Sequence, residues 1–136
     1  MKSTFEFDVE FGDTDPAGIV FYPNFFRWYD AGTWRLFLKA GLTLRILREE
    51  FGLLGFPLVD AHSKFRSPVR FGDRILITSE IQSFRAKTFH VAHEIYVGER
   101  LCTEGSEVRV FGKTPANDPN GMEAIEIPAE LRNRLS

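Results

Sequence analysis

Apolar and polar residues alternate from the start of the chain: Phe5, Phe7, Val9 and Phe11 are separated by Glu6, Asp8 and Glu10. A period of two marks a half-buried strand. Between Gly12 and Gly18 the pattern breaks in a loop containing Asp-Pro and two glycines. From about Tyr22 the period lengthens. Phe25, Phe26, Tyr29, Thr33, Leu36, Phe37 and Ala40 fall on one helical face, while Arg27, Asp30, Arg35 and Lys39 fall mostly elsewhere. Pro23 suits a first helical turn and Gly41 a helix exit. Gly32 lies in mid-helix, where glycine costs about 1 kcal/mol relative to alanine. Its presence predicts close contact with a neighbouring backbone.

Thr43 to Phe51 reads as a second, shorter helix closed by Gly52. Strands follow. Leu58 to Phe71 places Val59, Ala61, Ser63 and Phe65 on one face and Asp60, His62, Lys64 and Arg66 on the other, before a turn at Phe71-Gly72-Asp73. Arg74–Phe84 and Thr88–Val97 form a predicted hairpin joined through Arg85-Ala86-Lys87, and Gly98-Glu99 turns into Arg100–Phe111. Thr114–Gly121 is a loop, Ala124–Ile127 a short strand and Pro128–Leu135 a closing helical turn or two. Strand, long helix and then consecutive strands define an α+β pattern: one antiparallel sheet with its helix on one face. No repeat or linker divides the chain, so residues 1–136 are expected to form a single domain. One helix leaves a sheet face and its edges uncovered, for which oligomerisation is a common remedy.

Composition narrows the function. Fourteen Phe, two Trp and three Tyr predict an aromatic core or pocket, and a net charge of −2 with interspersed signs gives no global pull toward nucleic acid or an anionic membrane. Cys102 is the only cysteine, which excludes an internal disulfide and predicts a small buried side chain. No Cys/His cluster has zinc-ligand spacing, and no cofactor is implied. There is neither a signal-peptide pattern nor an apolar run of about 20 residues, so a cytoplasmic location is expected.

The candidate chemistry lies in Gly12–Asp30. Asp15 sits in the Pro/Gly loop just ahead of the long helix, whose start offers free N–H groups and a partial positive charge. A carboxylate beside such donors can attack an activated acyl group or activate water while the donors hold the developing oxyanion. An Asp-Pro turn alone would also explain Asp15. Asp13 reads as a turn residue. Asp30, two turns into the helix, can accept a hydrogen bond from a polar acyl group such as a phenol, or pair with Arg27 or Arg35. His93 is in phase with Phe89, Val91 and Ile95, as a core histidine would be, and no Gly-x-Ser-x-Gly elbow accompanies the histidines. Trp28 and Trp34 read as core.

The run Asp13-Thr14-Asp15-Pro16-Ala17-Gly18-Ile19-Val20-Phe21-Tyr22-Pro23-Asn24, continuing through Arg27-Trp28 and Asp30, resembles the 4-hydroxybenzoyl-CoA thioesterase family of the hotdog fold. The likeness returns at Gly55-Phe56-Pro57, at Phe84–Phe89, at Glu107–Phe111 and at Ala124–Ala129. It implies a long helix wrapped by an antiparallel sheet, a dimer joined edge to edge, a pairing of dimers into a tetramer, and sites at the subunit interface that hydrolyse acyl-CoA. By the matched motif Asp15 takes the part of the catalytic carboxylate and the Tyr22 backbone N–H polarises the thioester carbonyl. Arg85 and Lys87 become candidates for the CoA phosphates, with Arg109 a weaker one. Phe56 departs from the pattern, where a small polar residue is expected, and could reshape the acyl pocket. The alternatives are a hotdog hydratase or dehydratase and a non-catalytic acyl-CoA-binding module. The first lacks a histidine near Asp15, and the second has no need of a carboxylate at the helix start.

Overall fold

A computed structural model describes residues 1–136. The expected alternation appears in β1 (Lys2–Asp8), where Phe5 and Phe7 are half-buried and Glu6 and Asp8 exposed. The strand stops before Phe11. There the Glu10 N–H donates to the Asp13 carboxylate (2.9 Å), the chain makes one 3-10 turn, and Phe11 is left 77% exposed.

Helix α1 (Pro23–Lys39) buries Phe25, Trp28, Tyr29, Gly32, Thr33, Leu36 and Phe37. Trp28 is therefore a core residue, and Phe26 is only half-buried. Gly32 is needed for close packing, but against side chains rather than backbone. A Cβ there would lie 2.2 Å from Ser79 Oγ and 3.2 Å from His93 Nδ1. Gly105 does the same for Tyr29: a Cβ would meet the ring at 2.4 Å. Helix α2 (Leu44–Phe51) is capped by Thr43, whose Oγ1 accepts from the Ile46 N–H (3.2 Å), and is closed by Gly52 at φ 66°.

The sheet has the order β1-β3-β4-β5-β2, with β2 (Leu58–Phe65), β3 (Arg74–Phe84), β4 (Thr88–Val97) and β5 (Arg100–Val110). Every pairing is antiparallel. The β2 strand ends at Phe65 rather than Phe71. The N–H groups of Arg66 and Ser67 both turn to the Cys102 carbonyl (2.8 and 3.2 Å), and Pro68 has no donor to continue the ladder. A two-residue ladder joins β6 (Gly112–Lys113) to β7 (Glu123–Ala124), and α3 (Ala129–Leu135) seals the core with Leu131 and Leu135.

One apolar cluster, around Phe37, Phe56, Phe89 and Phe111, packs the C-terminal half of α1, and another, around Phe25, Trp28, Tyr29 and Ile95, packs the N-terminal half. Cys102 is buried in the second cluster. Strand β2 differs from the rest. It pairs only with β5, and Leu58, Val59 and Phe65 are 49%, 61% and 51% exposed. Only Ser63, hydrogen-bonded to Tyr29, and Phe65, against Phe25, turn toward α1.

Candidate active site

The loop ahead of α1 is a small hairpin. Thr14 pairs with Val20, and the Asp15 N–H donates to the Ile19 carbonyl (2.9 Å). The Phe21 N–H and the Asn24 side-chain amide both donate to the Asp13 carbonyl (2.9 and 2.8 Å), tying the loop to the first turn of α1. Asp13 is thus the turn residue expected: its carboxylate closes the preceding turn and its carbonyl anchors the helix.

Asp15 is half-buried. Its Oδ1 accepts the Ala17 N–H (2.9 Å), an Asx turn that fixes the carboxylate's rotation, while Oδ2 has no partner in the chain. Tyr22 precedes Pro23, the first residue of α1, and its backbone N–H finds no acceptor in the chain. No side chain caps this helix start and no acidic residue lies in its first turn. The partial positive charge of the helix end is therefore unspent on the protein's own groups. Tyr22 also lines an apolar cavity of about 320 Å³ with Ile19, Phe25, Phe65 and Val69.

Asp30 pairs with neither Arg27 nor Arg35. Its Oδ1 accepts from Arg109 Nη2 at 2.7 Å, and its side chain remains 50% exposed. Arg109 is correspondingly not a phosphate ligand. It is buried, with Nε and Nη2 on Glu107 (3.2 and 2.7 Å) and Nη1 on the Phe56 carbonyl (3.0 Å). Phe56 itself is core, stacked on Phe37 at 4.1 Å and against Trp34 at 4.4 Å.

Glu107 joins Arg109 to a deeper group and was not singled out by sequence reasoning. It accepts from Thr33 Oγ1 (2.5 Å) and from His93 Nε2 (3.0 Å) as well as from Arg109. Because a carboxylate only accepts, His93 donates to it through Nε2, and Nδ1 faces Ser79 Oγ at 2.7 Å. Burial would raise the Glu107 carboxyl, but the hydrogen bonds from His93 and Arg109 and their charges outweigh it and hold it at about 2. A signal for this residue existed. Period two on β5 puts Glu107 and Arg109 on the inward face with Thr103 and Gly105. Ser79–His93–Glu107 repeats the serine–histidine–acid order of a hydrolase triad. All three are buried, however, and the helix backbone at Gly32 covers Ser79. His93 is the satisfied core histidine expected.

Arg85 and Lys87 lie exposed on the β3–β4 connection, and neither pairs with a carboxylate. Arg132 of α3 donates to the Arg85 carbonyl, and Arg85 borders a cavity of about 330 Å³ with Thr88, Phe89 and His90. The hairpin backbone is held while both cationic side chains stay free. The sequence thus placed Asp15 and Tyr22 at one helix end. Asp30 stands apart on the Arg109 pair, and Arg85 and Lys87 lie on a separate hairpin.

A long helix laid on a five-stranded antiparallel sheet is the arrangement of the hotdog fold, and the chain's relatives are CoA-thioester hydrolases. The chain belongs to the thioesterase-like superfamily, which matches residues 9–135. It is 37% identical over 128 residues to 4-hydroxybenzoyl-CoA thioesterase of Pseudomonas sp. (strain CBS-3), covering 90% of this chain and 89% of that one. It is 29% identical over 124 residues to 1,4-dihydroxy-2-naphthoyl-CoA hydrolase of Synechococcus sp. (strain CC9605), covering 88% and 80%. Among solved structures, an aspartate-to-asparagine variant of 4-hydroxybenzoyl-CoA thioesterase complexed with 4-hydroxybenzoyl-CoA superimposes with a TM-score of 0.90 at 35% identity over 99% of both chains. A gentisyl-coenzyme A thioesterase gives 0.80 at 32% identity over 98% of both.

Proposed function

We propose that this enzyme hydrolyses hydroxylated aryl-CoA thioesters of the 4-hydroxybenzoyl type to the free acid and CoA. The observation that supports the reading is that the segment entering α1 holds both a Tyr22 N–H without an acceptor in the chain and an Asp15 carboxylate tethered through Oδ1 with Oδ2 free. The Tyr22 N–H donates to the thioester oxygen as negative charge builds on it, a contact whose loss costs about 3–4 kcal/mol in comparable sites. Asp15 then acts in one of two ways. Its Oδ2 attacks the carbonyl carbon, the C–S bond breaks and CoA thiolate leaves, giving a mixed anhydride that water opens. Alternatively it takes a proton from a water that makes the same attack. Either way one water is consumed, and one acid and one thiol are released.

Asp30 accepts a hydrogen bond from the ring hydroxyl, and Arg85 and Lys87 hold the CoA phosphates. The named activities of the relatives share a hydroxylated aromatic acyl group, which supports this assignment. The protein acts as one domain in the cytoplasm and as a homodimer through β2, with dimers paired into a tetramer. The unpaired, apolar β2 edge supports the dimer. Phe25 of α1 lies against Phe65, and Trp34 against Phe56 just ahead of β2, so α1 and β2 run in opposite directions. Two-fold pairing of β2 edges would therefore bring the Asp15–Tyr22 end of one protomer toward the Asp30–Trp34 stretch of its partner, a shared site.

Thiol release measured over a panel of aryl- and alkyl-CoAs tests the function. Fastest turnover is expected with ring-hydroxylated aryl-CoAs. Tight binding of the whole panel without thiol release would make the protein an acyl-CoA-binding module instead.

A further inference from the structure

Asp30 is surplus to the charge balance of the core. Arg109 is already neutralised by Glu107, which takes two of its N–H groups, and a third goes to the Phe56 carbonyl. Glu107 in turn is locked by Thr33 and His93. The guanidinium is therefore fixed before Asp30 arrives, and it still offers Nη2 to Asp30 Oδ1 at 2.7 Å. A half-exposed aspartate on a helix surface ordinarily samples several rotamers. This one is tied by a single oxygen to a rigid, buried cation, and its Oδ2 has no partner in the chain. Arg109, Trp34 and Phe56 also border an open cavity of about 470 Å³, so the rigid cation lies beside aromatic surface on which a ring can rest.

We propose that Arg109, anchored by Glu107 and His93, is a positioning residue that aims Asp30 Oδ2 at the ring hydroxyl of the acyl group. Discrimination for that hydroxyl then comes from the direction of the carboxylate rather than from its charge alone. Charge-assisted hydrogen bonds reward such fixed direction, and a pre-paid rotamer lowers the entropic cost of binding. The inference rests on the reading that Asp30 meets the ring hydroxyl.

The test is the ratio of kcat/KM for 4-hydroxybenzoyl-CoA over benzoyl-CoA, which a general loss of stability leaves unchanged. Asp30→Asn is expected to lower the ratio by about tenfold or more, the size of a lost hydrogen bond to a charged group. Asp30→Glu leaves the buried chain intact and keeps the charge, but moves the free oxygen by one methylene. It is expected to lower the ratio as far as Asp30→Asn does. Arg109→Lys is expected to lower the ratio as well, and Arg109→Lys added to Asp30→Asn should lower it no further. An Asp30→Glu enzyme with the wild-type ratio overturns the positioning role, even if Arg109→Lys does not fold. So does an Arg109→Lys enzyme that loses both substrates equally. An unchanged ratio in Asp30→Asn removes Asp30 from hydroxyl recognition, and the inference with it.

Discussion

At the scale of single residues, one tight packing point and one pair of cations make separable predictions. Gly32→Ala improves helix propensity by about 1 kcal/mol, yet the new Cβ would sit 2.2 Å from Ser79 Oγ inside the buried polar group. Overpacking of this kind costs about 1–3 kcal/mol. A lower urea midpoint is expected, and an unchanged or raised midpoint would show that the helix can shift away from β3. The mid-helix glycine was legible in the sequence as a close approach. That its neighbour is a hydroxyl was not, because which strand passes beneath α1 depends on a sheet order the local pattern does not contain. If Arg85 and Lys87 hold the CoA phosphates, Arg85→Ala and Lys87→Ala are each expected to raise KM for acyl-CoA about tenfold, or roughly 1.4 kcal/mol, to leave kcat nearly unchanged and to weaken the salt dependence of KM. A kcat effect with constant KM would move these cations away from the phosphates.

At the scale of elements, α1 meets β4 and β5 through Thr33, His93, Glu107 and Arg109, a polar seam through an otherwise apolar contact. The Glu107 carboxyl is held at about 2, against 4.5 for an ordinary one. A depressed native value means stability that is complete above the unfolded value. It is lost as pH falls, progressively from about 4.5 to 2. The amount is on the order of 3 kcal/mol. Urea unfolding across that range should show an acid limb that Glu107→Gln flattens, and an equally steep limb in the variant would place the acid sensitivity elsewhere. Helices α1 and α2, the β3–β4 hairpin and the Gly12–Gly18 loop were all readable, because each is set by local period, caps and turn residues. The seam was not, since an inward Glu and Arg on one strand look like a bulge or an edge until their partners on α1 and β4 are known. The misplaced end of β2 has the same origin: the Arg66 and Ser67 N–H groups turn to Cys102, distant in the chain, whereas β1 is ended by a local turn in which the Glu10 N–H donates to the Asp13 carboxylate.

At the scale of the whole molecule, β2 is an edge strand with three apolar side chains about half exposed or more. Edges like this are paired, covered or charged in stable proteins. Light scattering should give a dimer or a multiple of it for the wild type. Val59→Lys combined with Phe65→Lys should give a folded monomer that has lost turnover, if the Asp15–Tyr22 end of one protomer works with the Asp30–Trp34 stretch of its partner. A fully active monomer would confine the site to one chain.

The central claim is that one carboxylate and one helix-start N–H act together on the thioester carbonyl. Its most direct test is the Asp15→Asn enzyme, with kcat from thiol release and acyl-CoA affinity from equilibrium binding measured on the same preparation. The account predicts a folded protein that binds acyl-CoA within a few-fold of wild type and turns it over at least about 100-fold more slowly. Equal kcat in the two enzymes would contradict it.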